Sequence, residues 1–234
     1  MRLLTWDALP EQMKNDAVYP YYRAIAAKRG ALLAKRIFDL VVSACMLIVL
    51  SPVFLVLAIA IKLDSPGPVF FRQVRITQYG KTFRIFKFRT MVDRAEKLGS
   101  QVTVGADPRI TRVGKVIRDC RLDEIAQLLN VLTGDMTFVG TRPEVSKYVE
   151  AYTPEMWATL LLPAGITSEA SIRYKDEAKL LEQAENVDET YIQQVLPGKM
   201  RYNLESIQNF GFWPEIRTMF RTVFAVLGKD YSEA

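Results

Sequence analysis

An uncharged apolar run, Leu40 to Ile61 (LVVSACMLIVLSPVFLVLAIAI), most constrains what this chain can fold into. As one straight helix it would extend about 33 Å, enough to cross the hydrocarbon core of a bilayer. It begins too late and lacks the cleavage region that would make it a signal peptide. Ser51-Pro52 stands at its middle. A proline there removes an amide donor and clashes with the preceding turn, so a bend is expected, and the Ser51 hydroxyl can satisfy a freed carbonyl. Lys28, Arg29, Lys35 and Arg36 precede the run, and Lys62, Arg72 and Arg75 follow it. Positive flanks mark the cytoplasmic side, and here they choose no direction. A kinked span and a re-entrant helix-break-helix returning to its side of entry both fit. Asp39, just inside the first flank, is expected either to pair with Lys35 or Arg36 or to be solvated at the helix start.

The remaining charge is unevenly placed. Residues 62–121 carry fourteen basic and five acidic groups, whereas 122–234 carry ten and seventeen. A basic segment beside an apolar run suits anionic lipid headgroups or a phosphorylated ligand. No aromatic-basic repeat or zinc motif points to nucleic acid, which is not expected as a partner. The chain has no histidine. Acid, base and nucleophile must therefore come from carboxylates, Lys, Tyr, Ser, Thr or the two cysteines. Cys45 and Cys120 form no disulfide framework, and two cysteines without histidine do not suit zinc.

Three parts follow from these patterns. Residues 1–33, with scattered aromatics and prolines, read as an N-terminal interfacial arm; 34–63 as the membrane helix-break-helix; and 64–234 as a small cytoplasmic catalytic domain. The expected fold class is α+β, mainly α. Val69–Gln73 and Thr82–Phe88 alternate around Tyr79-Gly80 and predict a short β-hairpin. Leu122, Ile125, Ala126, Leu129 and Leu132 predict a helix over Leu122–Leu132, with Asp123, Gln127 and Asn130 on one polar stripe and a stop at Thr133-Gly134. Ile216–Leu227 is amphipathic and lies at a membrane interface or packs on the core.

Asp123-Glu124 leads the candidates for chemistry. Carboxylates at a helix start are often only structural, yet the same dipole would keep one ionised and able to attack phosphorus. Arg112, Lys115, Arg118 and Arg121 crowd just upstream and could neutralise a diphosphate while the acids hold a divalent cation. Arg142, between Thr141 and Pro143, could fork two phosphate oxygens, or these arginines make surface ion pairs with the acidic last half. No Walker loop, dinucleotide fingerprint or nucleophile elbow is present.

Several motifs in order resemble one family: Lys35-Arg-Ile-Phe-Asp39, the run with Ser51-Pro52, Gly67-Pro-Val-Phe-Phe-Arg-Gln73, Phe86-Lys-Phe-Arg-Thr-Met91, Arg121-Leu-Asp-Glu124, Gln127 to Met136, and Val139-Gly-Thr-Arg-Pro143. They resemble the bacterial sugar transferases, monotopic polyprenol-phosphate phosphoglycosyl transferases. The resemblance implies transfer of a sugar phosphate from a UDP-sugar to undecaprenyl phosphate with release of UMP, starting assembly of a surface polysaccharide or glycan. It implies a re-entrant helix broken at Ser51-Pro52, a place on the cytoplasmic face of the bacterial inner membrane, contact with membrane lipid, and dependence on Mg2+ or Mn2+. Asp123 matches a nucleophile that forms a covalent sugar-phosphate intermediate, and Glu124 its metal-binding partner. Arg118 matches a phosphate-binding arginine, and Arg142 with Pro143 a nucleotide- and phosphate-binding loop. Thr141 stands where a proline is usual, and Ala164-Gly-Ile-Thr-Ser-Glu169 departs from the usual Pro-Gly-Ile-Thr-Gly-Trp, in a region that faces the sugar or lies near it. The sugar and oligomeric state, a homo-oligomer included, are left open. Two other readings compete: a membrane-tethered, non-catalytic assembly protein, and a Mg-dependent phosphohydrolase.

Overall fold

A computed structural model describes residues 3–95, 107–174 and 186–226. After a first helix, α1 (Tyr19–Ala26), the apolar run divides where proline cannot donate. Helix α2 (Arg29–Val49) ends at Leu50, and α3 (Ser51–Asp64) opens with Pro52 in its first turn, where a missing amide is harmless. The two axes are bent by 60°. Ser51 Oγ donates to the Ile48 carbonyl at 2.8 Å, so one carbonyl at the break is satisfied. Among the described residues no single helix is long and apolar enough to cross a membrane, and only this bent pair passes that test together. Its outer side stays bare: Ile48, Val49, Leu55 and Leu63 are all more than half exposed.

Polar residues fasten this element to the rest. Asp39 does not pair within the basic flank; it is buried, accepting from Thr137 Oγ1 at 2.7 Å and from the Phe138 amide at 3.4 Å. Lys35, also buried, pairs with Glu215 and donates to the Val139 carbonyl at 2.9 Å. Arg36 donates to the Val131 and Leu132 carbonyls near the end of α5 (Leu128–Thr133), where unpaired carbonyls favour a cation. At the far end Asp64 accepts from the Val113 amide at 3.0 Å and so caps α4 (Arg112–Asp119), beside the Thr111 cap of Gly114.

The expected hairpin is present: β1 (Phe70–Ile76) pairs antiparallel with β2 (Thr82–Phe88), Phe70 opposite Phe88 and Ile76 opposite Thr82. A second, parallel pair joins β3 (Met136–Val139) to β4 (Ala164–Thr167), strands too short for an alternating pattern to reveal. They approach closely, since a Cβ on Gly165 would lie 2.2 Å from the Gly140 nitrogen. The stop after α5 falls where expected, at Gly134, whose φ of 94° favours glycine.

Three hydrophobic clusters form the core. Leu57 and Ile61 of α3 pack with Phe88, Ile117 and Ala126. Leu128, Val131, Met136 and Phe138 pack with Phe83 and Ile85. The largest cluster includes Met13, Val18 and Ile25 of the N-terminal arm with Leu160, Leu161 and Met200. Residues 3–26 are thus part of this core rather than a segment lying loosely upon it.

The last helix, α10 (Phe212–Val226), follows α6 (Ser146–Val149), α7 (Glu169–Arg173), α8 (Val187–Thr190) and α9 (Leu196–Gln208). It begins before the predicted start, and Leu227 lies outside the described residues. Its polarity is inverted. Glu215 meets Lys35, Thr218 and Arg221 both donate to Glu169 at 2.6 and 2.7 Å, and Thr222 bonds Thr167. Trp213, Phe220 and Val223 stand exposed on its outer side.

Asn130 shows how the hairpin is held. Predicted on a polar stripe of the helix, it is fully buried, accepting from the Phe86 amide at 2.7 Å and donating to the Arg84 carbonyl at 3.1 Å. Asn130→Ala leaves the Phe86 amide without its partner and the Arg84 carbonyl with only Arg72, and is expected to lower stability by about 1–3 kcal/mol in denaturant unfolding of the detergent-solubilised protein. A loss well under ~1 kcal/mol would contradict this bracing.

Candidate active site

Asp123 and Glu124 lie on a six-residue 3₁₀ turn, Leu122–Gln127, that feeds α5. The predicted α-helix therefore begins only at Leu128. Arg121, left-handed at φ 53°, turns the chain into the 3₁₀ segment, and Ala126 and Gln127 are buried beneath it. So short a turn supplies little dipole, and side-chain cations take over the role expected of a helix start. Lys87 of β2 donates to Glu124 Oε1 at 2.8 Å and stands 3.7 Å from Asp123 Oδ2. Arg142, on the loop after β3, forks Glu124 at 2.5 and 3.4 Å.

Both carboxyl side chains are largely covered, with 17% and 20% exposed, yet their titrations diverge. Burial pushes Asp123 above the usual aspartate range, with the neighbouring Glu124 adding to the rise and Lys87 opposing it. Burial also pushes Glu124 upward, but the charges and hydrogen bonds of Arg142 and Lys87 outweigh it and hold the carboxyl well below the glutamate range. The dipole argument for a readily ionised Asp123 is therefore corrected: desolvation dominates, and Lys87 is what opposes it. The linkage signs differ accordingly. Glu124 contributes stability above its unfolded pKa that is lost as pH falls through its folded one, whereas the raised Asp123 carboxyl costs stability as pH rises from its unfolded pKa through its folded one.

Asp123 lines a cavity of about 480 Å3 together with Arg118, Lys87, Arg75, Arg72, Arg89 and Arg109. Arg118, from α4, is brought to Asp123 as expected. Arg142 reaches the pair through Glu124, and the Pro143 carbonyl accepts from Arg75 at 3.2 Å. Ser51 and Pro52 serve the helix break, away from this cavity's lining. Phe88 of the lining packs in the cluster of Leu57, Ile61, Ile117 and Ala126, so α3, β2, α4 and the acidic turn share one support. Arg89 reaches back to the Ile61, Ser65 and Pro66 carbonyls at the end of α3. A second cavity, about 540 Å3, is walled by Gly140, Thr141, Ser168, Glu169, Tyr202 and Arg217 among others. Neither carboxyl of the pair lines it, whereas Asp123 lines the first.

Among the described residues no group of three or more His, Cys, Asp or Glu could cage a metal ion. A hard divalent cation acting on phosphates needs only one or two carboxylates, with phosphate oxygens and water completing its shell. Asp123 and Glu124 fit that donor type. Because Arg142 and Lys87 already contact Glu124, a cation there shares or displaces those contacts.

The sequence pattern of a family described as bacterial sugar transferase matches residues 30–229. This chain belongs to that family. An Aeromonas hydrophila UDP-N-acetylgalactosamine-undecaprenyl-phosphate N-acetylgalactosaminephosphotransferase is 36% identical over 82% of the chain and 43% of its own length. UDP-glucose:undecaprenyl-phosphate glucose-1-phosphate transferases are similar too. That of Escherichia coli K12 is 36% identical over 92% of this chain and 44% of its own length; that of Caulobacter vibrioides is 35% identical over 85% and 71%. The chain thus spans less than half the length of the first two relatives.

In this member of the family, Lys87 and Arg75 are the cavity-lining residues near the acid pair that sequence reasoning passed over. A signal was available for Lys87: on the predicted strand it alternates with Phe83 and Ile85, so it puts a charge on an otherwise apolar face. Lys87→Met removes the largest influence holding Asp123 down, so its carboxyl should titrate at higher pH, as followed by the infrared carboxyl band of labelled aspartate. An unchanged or lower midpoint would contradict the assigned electrostatics.

Proposed function

We propose that this chain moves a sugar 1-phosphate from a UDP-sugar to undecaprenyl phosphate and releases UMP, an initiating step of bacterial surface polysaccharide or glycan assembly. The observation that carries the reading is the convergence of Asp123, Lys87 and Arg118 at one cavity, with Glu124 held beside it by Lys87 and by the fork of Arg142. The names of the similar transferases supply the substrate classes.

Joining two anions directly is slow, and a carboxylate nucleophile divides the reaction in two. Asp123 attacks the sugar-side phosphorus, the bridging P–O bond breaks, and UMP leaves with its electron pair. A phosphate oxygen of undecaprenyl phosphate then attacks the resulting acyl phosphate and frees Asp123, giving the lipid diphosphate sugar. Arg118, Lys87 and Arg142 offset charge that develops on the phosphoryl oxygens. Glu124 would hold Mg2+ or Mn2+, which supplies further neutralisation of the diphosphate when bound. Burial of Asp123 also removes water that would otherwise solvate the nucleophile.

The membrane part of the proposal is a re-entrant α2–α3 hairpin, with the catalytic residues 64–234 on the cytoplasmic face of the inner membrane. Support comes from the 60° bend, the bare apolar sides of both helices, and the outward aromatics of α10, which suit a lipid interface.

Sustained UMP release from a panel of UDP-glucose, UDP-galactose and UDP-N-acetylgalactosamine should require polyprenol phosphate. It should stop with EDTA and return with Mg2+. Asp123→Asn should retain the fold and lose on the order of 10³-fold or more in turnover. Steady hydrolysis without lipid would indicate a phosphohydrolase, and full turnover in EDTA would refute the metal. For topology, Gly30→Cys and Ser65→Cys, each in a Cys45→Ala, Cys120→Ala background, should react with an impermeant thiol reagent from the same side. Labelling from opposite sides would establish a span.

A further inference from the structure

A second buried charge cluster lies outside the cavity that Asp123 lines. Glu144, Tyr191 and Lys199 are each more than nine-tenths buried. Tyr191 donates its hydroxyl hydrogen to Glu144 Oε1 at 2.6 Å, Lys199 Nζ donates to the Tyr191 oxygen at 3.1 Å, and Lys199 stands 4.0 Å from Glu144. The Tyr191 ring packs 4.4 Å from that of Tyr148. Tyr191 opens a single π turn, Tyr191–Val195, a distortion that recurs at functional sites. For stability alone, apolar side chains of similar volume often serve as well as a buried ion pair, so its position calls for another explanation.

Glu144 stands two residues after Arg142. Its own carbonyl accepts from the Ile76 amide at 2.9 Å, and the Pro143 carbonyl accepts from Arg75. Before Arg142, the Gly140 amide donates to the Thr167 carbonyl at 3.0 Å and the Thr141 carbonyl accepts from the Gly165 amide at 2.9 Å. The chain entering Arg142 is therefore pinned by β4. The chain leaving it is pinned by β1 and, through the Glu144 side chain, by the π turn and α9.

We infer that Glu144, with Tyr191 and Lys199, is a positioning group that fixes the loop from which Arg142 meets the diphosphate of the UDP-sugar. The inference rests on the reading of Arg142 in the proposed function. A guanidinium fork binds two phosphate oxygens well only when its backbone is already oriented, because ordering a loop on binding weakens affinity. Glu144 touches no substrate in this role and acts through Arg142. The network also ties the loop to residues far along the chain, so α9 bears on the use of one substrate.

The test is steady-state kinetics of Tyr191→Phe, which deletes one hydroxyl and keeps the ring stack, with Glu144→Gln as a second variant. Each should raise KM for the UDP-sugar that the wild type uses by about tenfold, with kcat nearly unchanged. KM for polyprenol phosphate should stay the same. In an Arg142→Ala background neither substitution should raise KM further, because the group they position is gone. A merely structural role predicts the same change in both backgrounds, or a fall in thermal stability with KM unmoved; either result overturns the inference alone. If the wild type releases no UMP, or Arg142→Ala leaves KM unaltered, the underlying reading falls and the inference falls with it.

Discussion

One glutamate carboxylate joins the separate pieces of the site. Glu124 is held by Lys87 from β2 and by Arg142 from the loop after β3, while its own turn carries Asp123. Without these cations, burial would favour a protonated carboxyl and the three segments would lose their shared anchor. With them, Glu124 stays ionised and a cation stands close to Asp123. The arrangement is poised for exchange. A diphosphate offers Arg142 and Lys87 competing oxygens, and each cation that moves to the ligand leaves Glu124 freer for a divalent ion. Substrate and metal are thereby coupled through one side chain in the proposed reaction.

The same site is tied to the apolar hairpin by hydrogen bonds as well as packing. Lys35, Arg36 and Asp39 join α2 to β3, α5 and α10, and Asp64 caps the helix that bears Arg118. Arg89 lines the cavity while holding the carbonyls at the end of α3. Leu57 and Ile61 pack in one apolar cluster with Phe88, which lines the cavity, and Ala126. In the proposed reaction, whose acceptor is a lipid, these ties would set the height of Asp123 above the bilayer. The inverted polarity of α10 extends the exposed apolar surface beyond the hairpin.

The parts of the fold written in strong local chemistry were legible in the sequence. Pro52 marks the helix break, Tyr79-Gly80 the hairpin, and Gly134 the end of α5, because each obeys a backbone constraint that neighbours cannot override. The convergence of Asp123 with Arg118 followed from charge crowding and from resemblance. What stayed hidden depends on partners distant in sequence. Asn130 and Gln127 read only as a polar stripe until β2 and the core are laid over them, and Asp39 looks like a flank charge until Thr137 reaches it. Likewise, the acid pair reads as a helix start, and only the left-handed Arg121 and the 3₁₀ turn show that Lys87 and Arg142 supply the field. Strands β3 and β4 are short and fully or mostly buried, so they leave no alternation to read.

The central claim is that Asp123 is the nucleophile. The most direct measurement is intact-protein and peptide mass spectrometry of the acid-quenched enzyme after exposure to its UDP-sugar and Mg2+ without lipid acceptor. The account predicts a gain of one sugar-phosphate mass on the peptide containing Asp123, stoichiometric UMP release, and loss of the adduct when polyprenol phosphate is added. An active enzyme that yields no adduct, and whose initial rates require both substrates bound together, would contradict it and leave Asp123 as a ligand or base.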